Sequence, residues 1–167
     1  MKTVDVLVAG ELYLDLILSD FDVWPQPGIE SFAKHFRREI GGGTAITASG
    51  LAKLGSTTAI YGLVGAEDGS SVAGRLQQSG VNTSAVEFDE HEPTGFTVVA
   101  TTSEDRAFLT YLGANRRFIP RMLELAEARR FGHVRHVHLA CAPPQDVFGA
   151  LVDALHDNEC TCSIDVG

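Results

Sequence analysis

Three consecutive glycines and a threonine, Gly41-Gly42-Gly43-Thr44, stand directly before an amphipathic run that ends at Leu54-Gly55. Glycines entering a helix leave backbone N–H groups uncovered, and the helix dipole adds partial positive charge at the same place. A phosphate is one ligand for such a turn, but the specific phosphate patterns are missing. A P-loop requires G-x-x-x-x-G-K-[ST], and the lysine that follows here is Lys53, deep in the run. The dinucleotide fingerprint G-x-G-x-x-G belongs just after the first strand, where the sequence reads "AGELYLDL". A dinucleotide-binding module is therefore disfavoured. A polyol is the second ligand, because glycines let hydroxyls approach backbone N–H groups closely. A polyol also needs a carboxylate that accepts from two hydroxyls at once. Asp15, just past the first apolar run, is placed for that, since open parallel sheets gather ligands at the carboxyl ends of their strands. Taken alone, the bare glycines suit an empty turn equally well, and an isolated Asp15 would be an ordinary solvated acid.

Two further clusters were weighed as metal or redox sites. "HVRHVH" holds His133, His136 and His138, and a strand would put the last two on one face. No cysteine or carboxylate nearby completes a ligand shell, and the interleaved Val134, Val137 and Leu139 explain the segment as a strand, so no metal is expected. Cys160 and Cys162 are not a C-x-x-C pair and read as buried thiols. With Cys141 they make an odd count that suits a reducing compartment.

The elements that would position these residues alternate between strand and helix. Thr3–Gly10 is a near-continuous apolar run, as in a buried parallel strand. Asp15–Ile40 holds two prolines and short alternating runs, which predict exposed antiparallel strands joined by turns. Ala45, Ala48, Leu51, Ala52 and Leu54 have helical spacing, with Gly55 as the stop. Thr57–Gly65 predicts a strand, Asp68–Gly80 a helix, and Thr94–Asn115 a hairpin around "SEDR". Pro120 is placed at the first position of a helix. "HVRHVHLA" follows as a strand, then a helix with Val147, Leu151 and Leu155 on one stripe, and "CTCSIDVG" as a last strand. This order predicts an α/β fold, a parallel sheet flanked by helices, in which two extended inserts pair into a small second sheet. Because the chain stops inside a strand, it is expected to be the N-terminal part of a longer fold.

The 167 residues suffice for one domain with a sizeable core. A net charge of -9 disfavours nucleic acid and anionic membrane surfaces as partners, both of which select clustered Lys and Arg. The opening "MKTVDVLVAG" is too short to span a bilayer, and a cytoplasmic setting is the default expectation.

Four segments, "AGELYLDL", "GGGTAITASGLAKLG", "GLVGAEDGSSVAGRLQQSGVNTSAV" and "PTGFTVVATTSEDRAFLTYLGAN", together resemble the N-terminal half of the ribokinase-like (PfkB) carbohydrate kinases, from about Val4 to Gly167. The resemblance implies a ribokinase-like parallel sheet with a small β-lid, the lid segments being about 16–40 and 94–112 of a domain over 1–167. It implies transfer of the ATP γ-phosphoryl group to a hydroxyl of a sugar, nucleoside or related molecule, with Mg²⁺. It places Asp15, Gly41, Gly42 and Gly43 against the substrate, so the glycine turn faces hydroxyls and not phosphates. Phe96 and Tyr111 would supply lid surface, Asn115 would reach ligand or cap the lid turn, and Asp165 would lie on the phosphate side. A homodimer through the lid is the expected assembly.

Three departures qualify the resemblance. Ile46 stands where many members carry a substrate-binding asparagine, and it can neither donate nor accept. Cys141 stands near a glutamate of ribokinase, which makes ribose a poor expectation. The family's G-A-G-D loop, with its catalytic base, has no counterpart in the sequence. The catalytic residue and the ATP site are therefore expected beyond Gly167. The alternative is a short, non-catalytic small-molecule-binding protein.

Overall fold

The computed structural model describes residues 3–165. The expected last strand thus has its final two residues outside the described part. The first apolar run forms β1 (Val4–Ala9) at the centre of a parallel sheet with β4 (Thr58–Tyr61), β9 (Val134–Leu139) and β10 (Thr161–Ile164), in the order β10-β9-β1-β4. Helices cover it on both sides. On one face α3 (Phe118–Glu127) and α4 (Gln145–Asp157) bury Phe118, Met122, Ala126, Leu151 and Leu155 against Leu7, Ala9, Tyr61 and Val137. On the other, α1 (Gly43–Lys53) and α2 (Gly69–Gln78) bury Ala45, Ala48, Val72 and Leu76 against Val8 and Ile60. This is the parallel α/β sheet flanked by helices that the strand–helix rhythm predicts.

The two inserts do pair. Two nine-residue strands, β2 (Tyr13–Phe21) and β3 (Ala33–Gly41), form an antiparallel hairpin. β7 (Gly95–Thr101) runs parallel to β2, and β8 (Arg106–Tyr111) closes the sheet as β3-β2-β7-β8. β2 begins at Tyr13, so Asp15 sits on a lid strand and not on a turn after β1.

The expected strand Thr57–Gly65 is two strands. β5 (Leu63–Gly65) leaves the main sheet at Gly62 and pairs with β6 (Glu87–Asp89), a strand that the sequence pattern did not suggest. A Cβ on Gly62 would lie 2.8 Å from the Gly10 carbonyl and 2.9 Å from Leu12, so the chain can turn past β1 there only as glycine. Asp68 stands at the start of α2 without capping it; its carboxylate accepts from the Thr94 hydroxyl, which in turn accepts from the Gly65 N–H at 2.8 Å. A 3-10 turn over Gly113–Arg117 precedes α3, which puts Pro120 at the third helical position instead of the first. That position still lies within the first turn, where a missing N–H breaks no helical hydrogen bond.

Candidate functional site

The glycine run closes a corner between the carboxyl ends of β1 and β9. Gly10 and Ala140 follow those two strands, and the Ala140 N–H donates to the Ala9 carbonyl at 2.8 Å. α1 enters through Gly42 at φ +89, a left-handed conformation that favours glycine, and a Cβ there would lie 2.7 Å from the Glu11 carbonyl. No side chain caps α1, and Ile46 is the first N–H of the helix to donate to a carbonyl, that of Gly42 at 3.3 Å. The N–H groups of the first turn thus have no capping side chain.

Asp15 is brought to this corner. A Cβ on Gly41 would collide with the Asp15 carboxylate, so that carboxylate packs directly over the Gly41 backbone. Desolvation by burial holds the Asp15 carboxyl above its ordinary pKa. Two half-buried neighbours join it that the sequence analysis did not single out. The Tyr13 ring lies beside both Gly42 and Gly95, where added Cβ atoms would come within 3.4 Å and 2.9 Å of it. The Tyr13 hydroxyl donates to Glu11 Oε2 at 2.8 Å, and burial with that carboxylate raises the phenol pKa. Burial and the Glu11 charge also push the Cys141 thiol up to about 11. Period-two alternation was the available signal: Glu11, Tyr13 and Asp15 are half-buried, while Leu12 and Leu14 between them are buried.

The same alternation places two expected site residues on the other face of the lid. Register places Asp15 with Thr97 and Glu39, and Tyr13 with Gly41 and Gly95, on one face of the lid. Phe96 and Tyr111 pair with Leu14 on the opposite face. Their rings meet at 5.6 Å, Phe96 packs into the α1–α2 side of the core, and the Tyr111 hydroxyl donates to Glu92 at 3.0 Å. Ile17, Thr97 and Val99 occupy the Asp15 face instead. Asn115 lies behind the same corner, beside Gly95. It is 4% exposed, and its amide both accepts from the Leu12 N–H at 3.1 Å and donates to the Leu12 carbonyl at 2.9 Å. It clamps the link between β1 and β2.

Ile46 is 69% exposed in the first turn of α1. Asp165 follows β10 at its carboxyl end, and its N–H donates to the Leu139 carbonyl at 2.9 Å. His136 and His138 share a face as expected, and both bond Ser163, at 2.7 Å and 2.8 Å. Among the described residues no group of three or more His, Cys, Asp or Glu side chains could hold a metal ion. Cys160 is buried against the carbonyls of Phe131 and Val134, and Cys162 packs partly buried beside it.

The fold is a parallel α/β sheet with a small β-lid, and the Asp15 carboxylate lies beside the uncapped N-terminus of α1. The chain belongs to the pfkB family of carbohydrate kinases, whose profile matches residues 4–160. It is 30% identical to a nucleoside kinase of Methanothermobacter thermautotrophicus over 145 residues, 84% of this chain and 45% of that protein. The fold matches the Arabidopsis thaliana ribokinase complexed with ribose and ATP, with a TM-score of 0.79 and 24% identity over 99% of this chain and 54% of that one. It also matches the Burkholderia thailandensis nucleoside kinase in complex with inosine, with a TM-score of 0.73 and 17% identity over 96% of this chain and 50% of that one. The chain thus spans about half the length of these relatives. No helix among the described residues is long and apolar enough to cross a membrane.

Proposed function

We propose that this chain supplies the substrate-and-lid half of an ATP-dependent kinase that phosphorylates a hydroxyl of a sugar, nucleoside or related polyol. The observation that carries this reading is the Asp15 carboxylate packed over Gly41 beside the uncapped start of α1. Asp15 accepts from two substrate hydroxyls, and the backbone N–H groups of Gly42 and Gly43 bind oxygens of the same molecule. Ile46 presents an apolar edge at the first turn. Asp165, past β10, lies on the phosphate side. Ribose and inosine, bound by the two structural neighbours, both carry the adjacent hydroxyls that such a carboxylate recognises.

ATP supplies the phosphoryl group in this reading, with Mg²⁺ offsetting its charge. The residues here do not fit either one. The sequence has no G-A-G-D loop, and the described residues hold no metal-binding cluster. The base and the ATP site are accordingly assigned to the portion of the family fold that this chain does not span. The second reading is small-molecule binding by this chain without catalysis. A homodimer through the lid belongs to the first reading.

Calorimetric titration with ribose, fructose and adenosine tests the site. At least one should bind, and Asp15→Ala should weaken it by about 1–3 kcal/mol, the cost of polar groups left unpaired. Unchanged affinity would remove Asp15 from the cleft. Mass spectrometry for phosphorylated product after addition of ATP and Mg²⁺, with the chain joined to the C-terminal half of a relative's fold, separates the kinase from the binding-only reading.

A further inference from the structure

The polar corner described above contains a second carboxylate with no assigned role. Glu11 follows Gly10 at the carboxyl end of β1, on the same side of the extended chain as Tyr13 and Asp15. The Tyr13 hydroxyl holds its Oε2, which leaves Oε1 to accept from another donor. After burial, the Glu11 charge is the second cause that raises the Cys141 thiol at the end of β9, so the two groups are near neighbours at this corner.

Among the described residues that charge has no ion-pair partner. The acid paired with Asp15 across the lid, Glu39, is matched by Arg75 at 2.7 Å. Neither Glu11 nor Asp15 belongs to an ion pair among the described residues. A further polar group in the same corner is also unsatisfied: the Thr44 hydroxyl, fully buried in the first turn of α1 against Gly10, has no hydrogen-bond partner. Buried polar atoms are nearly always paired, so an orphan at a glycine-lined corner points to a ligand or a water that completes it.

Resting on the reading that this cleft holds the substrate, we propose that Glu11 sets the charge class of that substrate. It accepts from hydroxyl or ammonium groups of neutral and amine-bearing polyols, and it rejects sugar acids and sugar phosphates that would bring a second anion beside Asp15. Uncompensated like charges in a partly desolvated cleft are where electrostatic exclusion is strongest.

The experiment titrates the chain calorimetrically with ribose, fructose, glucosamine, gluconate and fructose 6-phosphate, using wild type, Glu11→Gln, Glu11→Lys and Asp15→Ala. Circular dichroism verifies that each variant is folded, and Glu11→Gln keeps the size and the Tyr13 contact of the native side chain. The expected result is wild-type binding of a neutral or amino sugar. Glu11→Gln should shift the ratio of acid to neutral affinity by about tenfold or more toward the acids, and Glu11→Lys further in the same direction. Wild-type preference for gluconate or fructose 6-phosphate overturns the proposal. So does an unchanged ratio in both Glu11 variants while Asp15→Ala loses binding, an outcome that leaves the cleft reading intact. Binding of no sugar by any form removes the cleft reading and this proposal together.

Discussion

Asp15 combines two opposed demands. In the proposed role its carboxylate must be ionised to accept from substrate hydroxyls, yet burial raises its pKa above the ordinary 3.8. A carboxyl whose folded pKa is raised binds its proton more tightly when folded, so ionisation costs stability. The cost is absent below the ordinary value, grows as pH rises toward the folded pKa, and is complete above it. Asp15→Asn should therefore melt higher than wild type at neutral pH, with the advantage shrinking as the solution is acidified, while sugar binding falls. Thermal melts across that range check it; a difference that stays constant with pH would show that the charge carries no such cost. Asp15 and the three glycines were legible because their residue types are unusual at that spacing. Glu11 and Tyr13 were not, because a short acid-x-tyrosine pattern means little until register fixes which face it lies on. Phe96 and Tyr111 show the same limit from the other side: their residue types suited a lid, but one step of strand parity put them opposite Asp15.

Among the elements, the link between β1 and β2 decides whether the lid stands where the site needs it. Leu12 lies in that link, fully buried, with both of its backbone polar groups held by the Asn115 side chain. Asn115 is in turn fixed by the 3-10 turn that ends the lid's last strand. Asn115→Ala should orphan a buried N–H and a buried carbonyl, at about 1–3 kcal/mol each. Urea unfolding should show that loss, and hydrogen exchange should accelerate at Leu12 more than in α4. Uniform protection would mean that the clamp is not what holds the link. Long periodic elements were readable: α1, α2, α4 and the central strands fall where hydrophobic spacing puts them. The two short strands β5 and β6 were not, because three residues carry too little pattern to separate them from neighbouring turns. The break at Gly62 depends on its contact with Gly10, a pairing far apart in sequence.

At the scale of the whole molecule, one strand of the lid carries charge against the general trend. The chain has a net charge of -9, yet β3 presents Lys34, His35, Arg37 and Arg38 along a sheet edge. Cationic edge strands resist edge-to-edge pairing, so this edge is a poor seam for two copies. The face opposite Asp15 differs. There Leu16, Leu18, Phe36, Val98 and Leu109 align across the four strands, with Arg38 opposite Leu16 at the margin and with Phe36 59% and Leu109 64% exposed. An apolar sheet face of this kind is better suited to packing against its own copy than to water. The proposed lid dimer should therefore form face to face, with the basic edges of the two copies brought closer together. Association should strengthen from low to high salt, since ions screen the β3 repulsion and leave the apolar contact. Sedimentation velocity over a concentration series measures it. Phe36→Ser combined with Leu109→Ser should give monomers at every salt concentration, whereas replacing Arg37 and Arg38 with glutamine should tighten the dimer at low salt. A dimer that weakens with salt would instead place the seam on a charged surface away from this face.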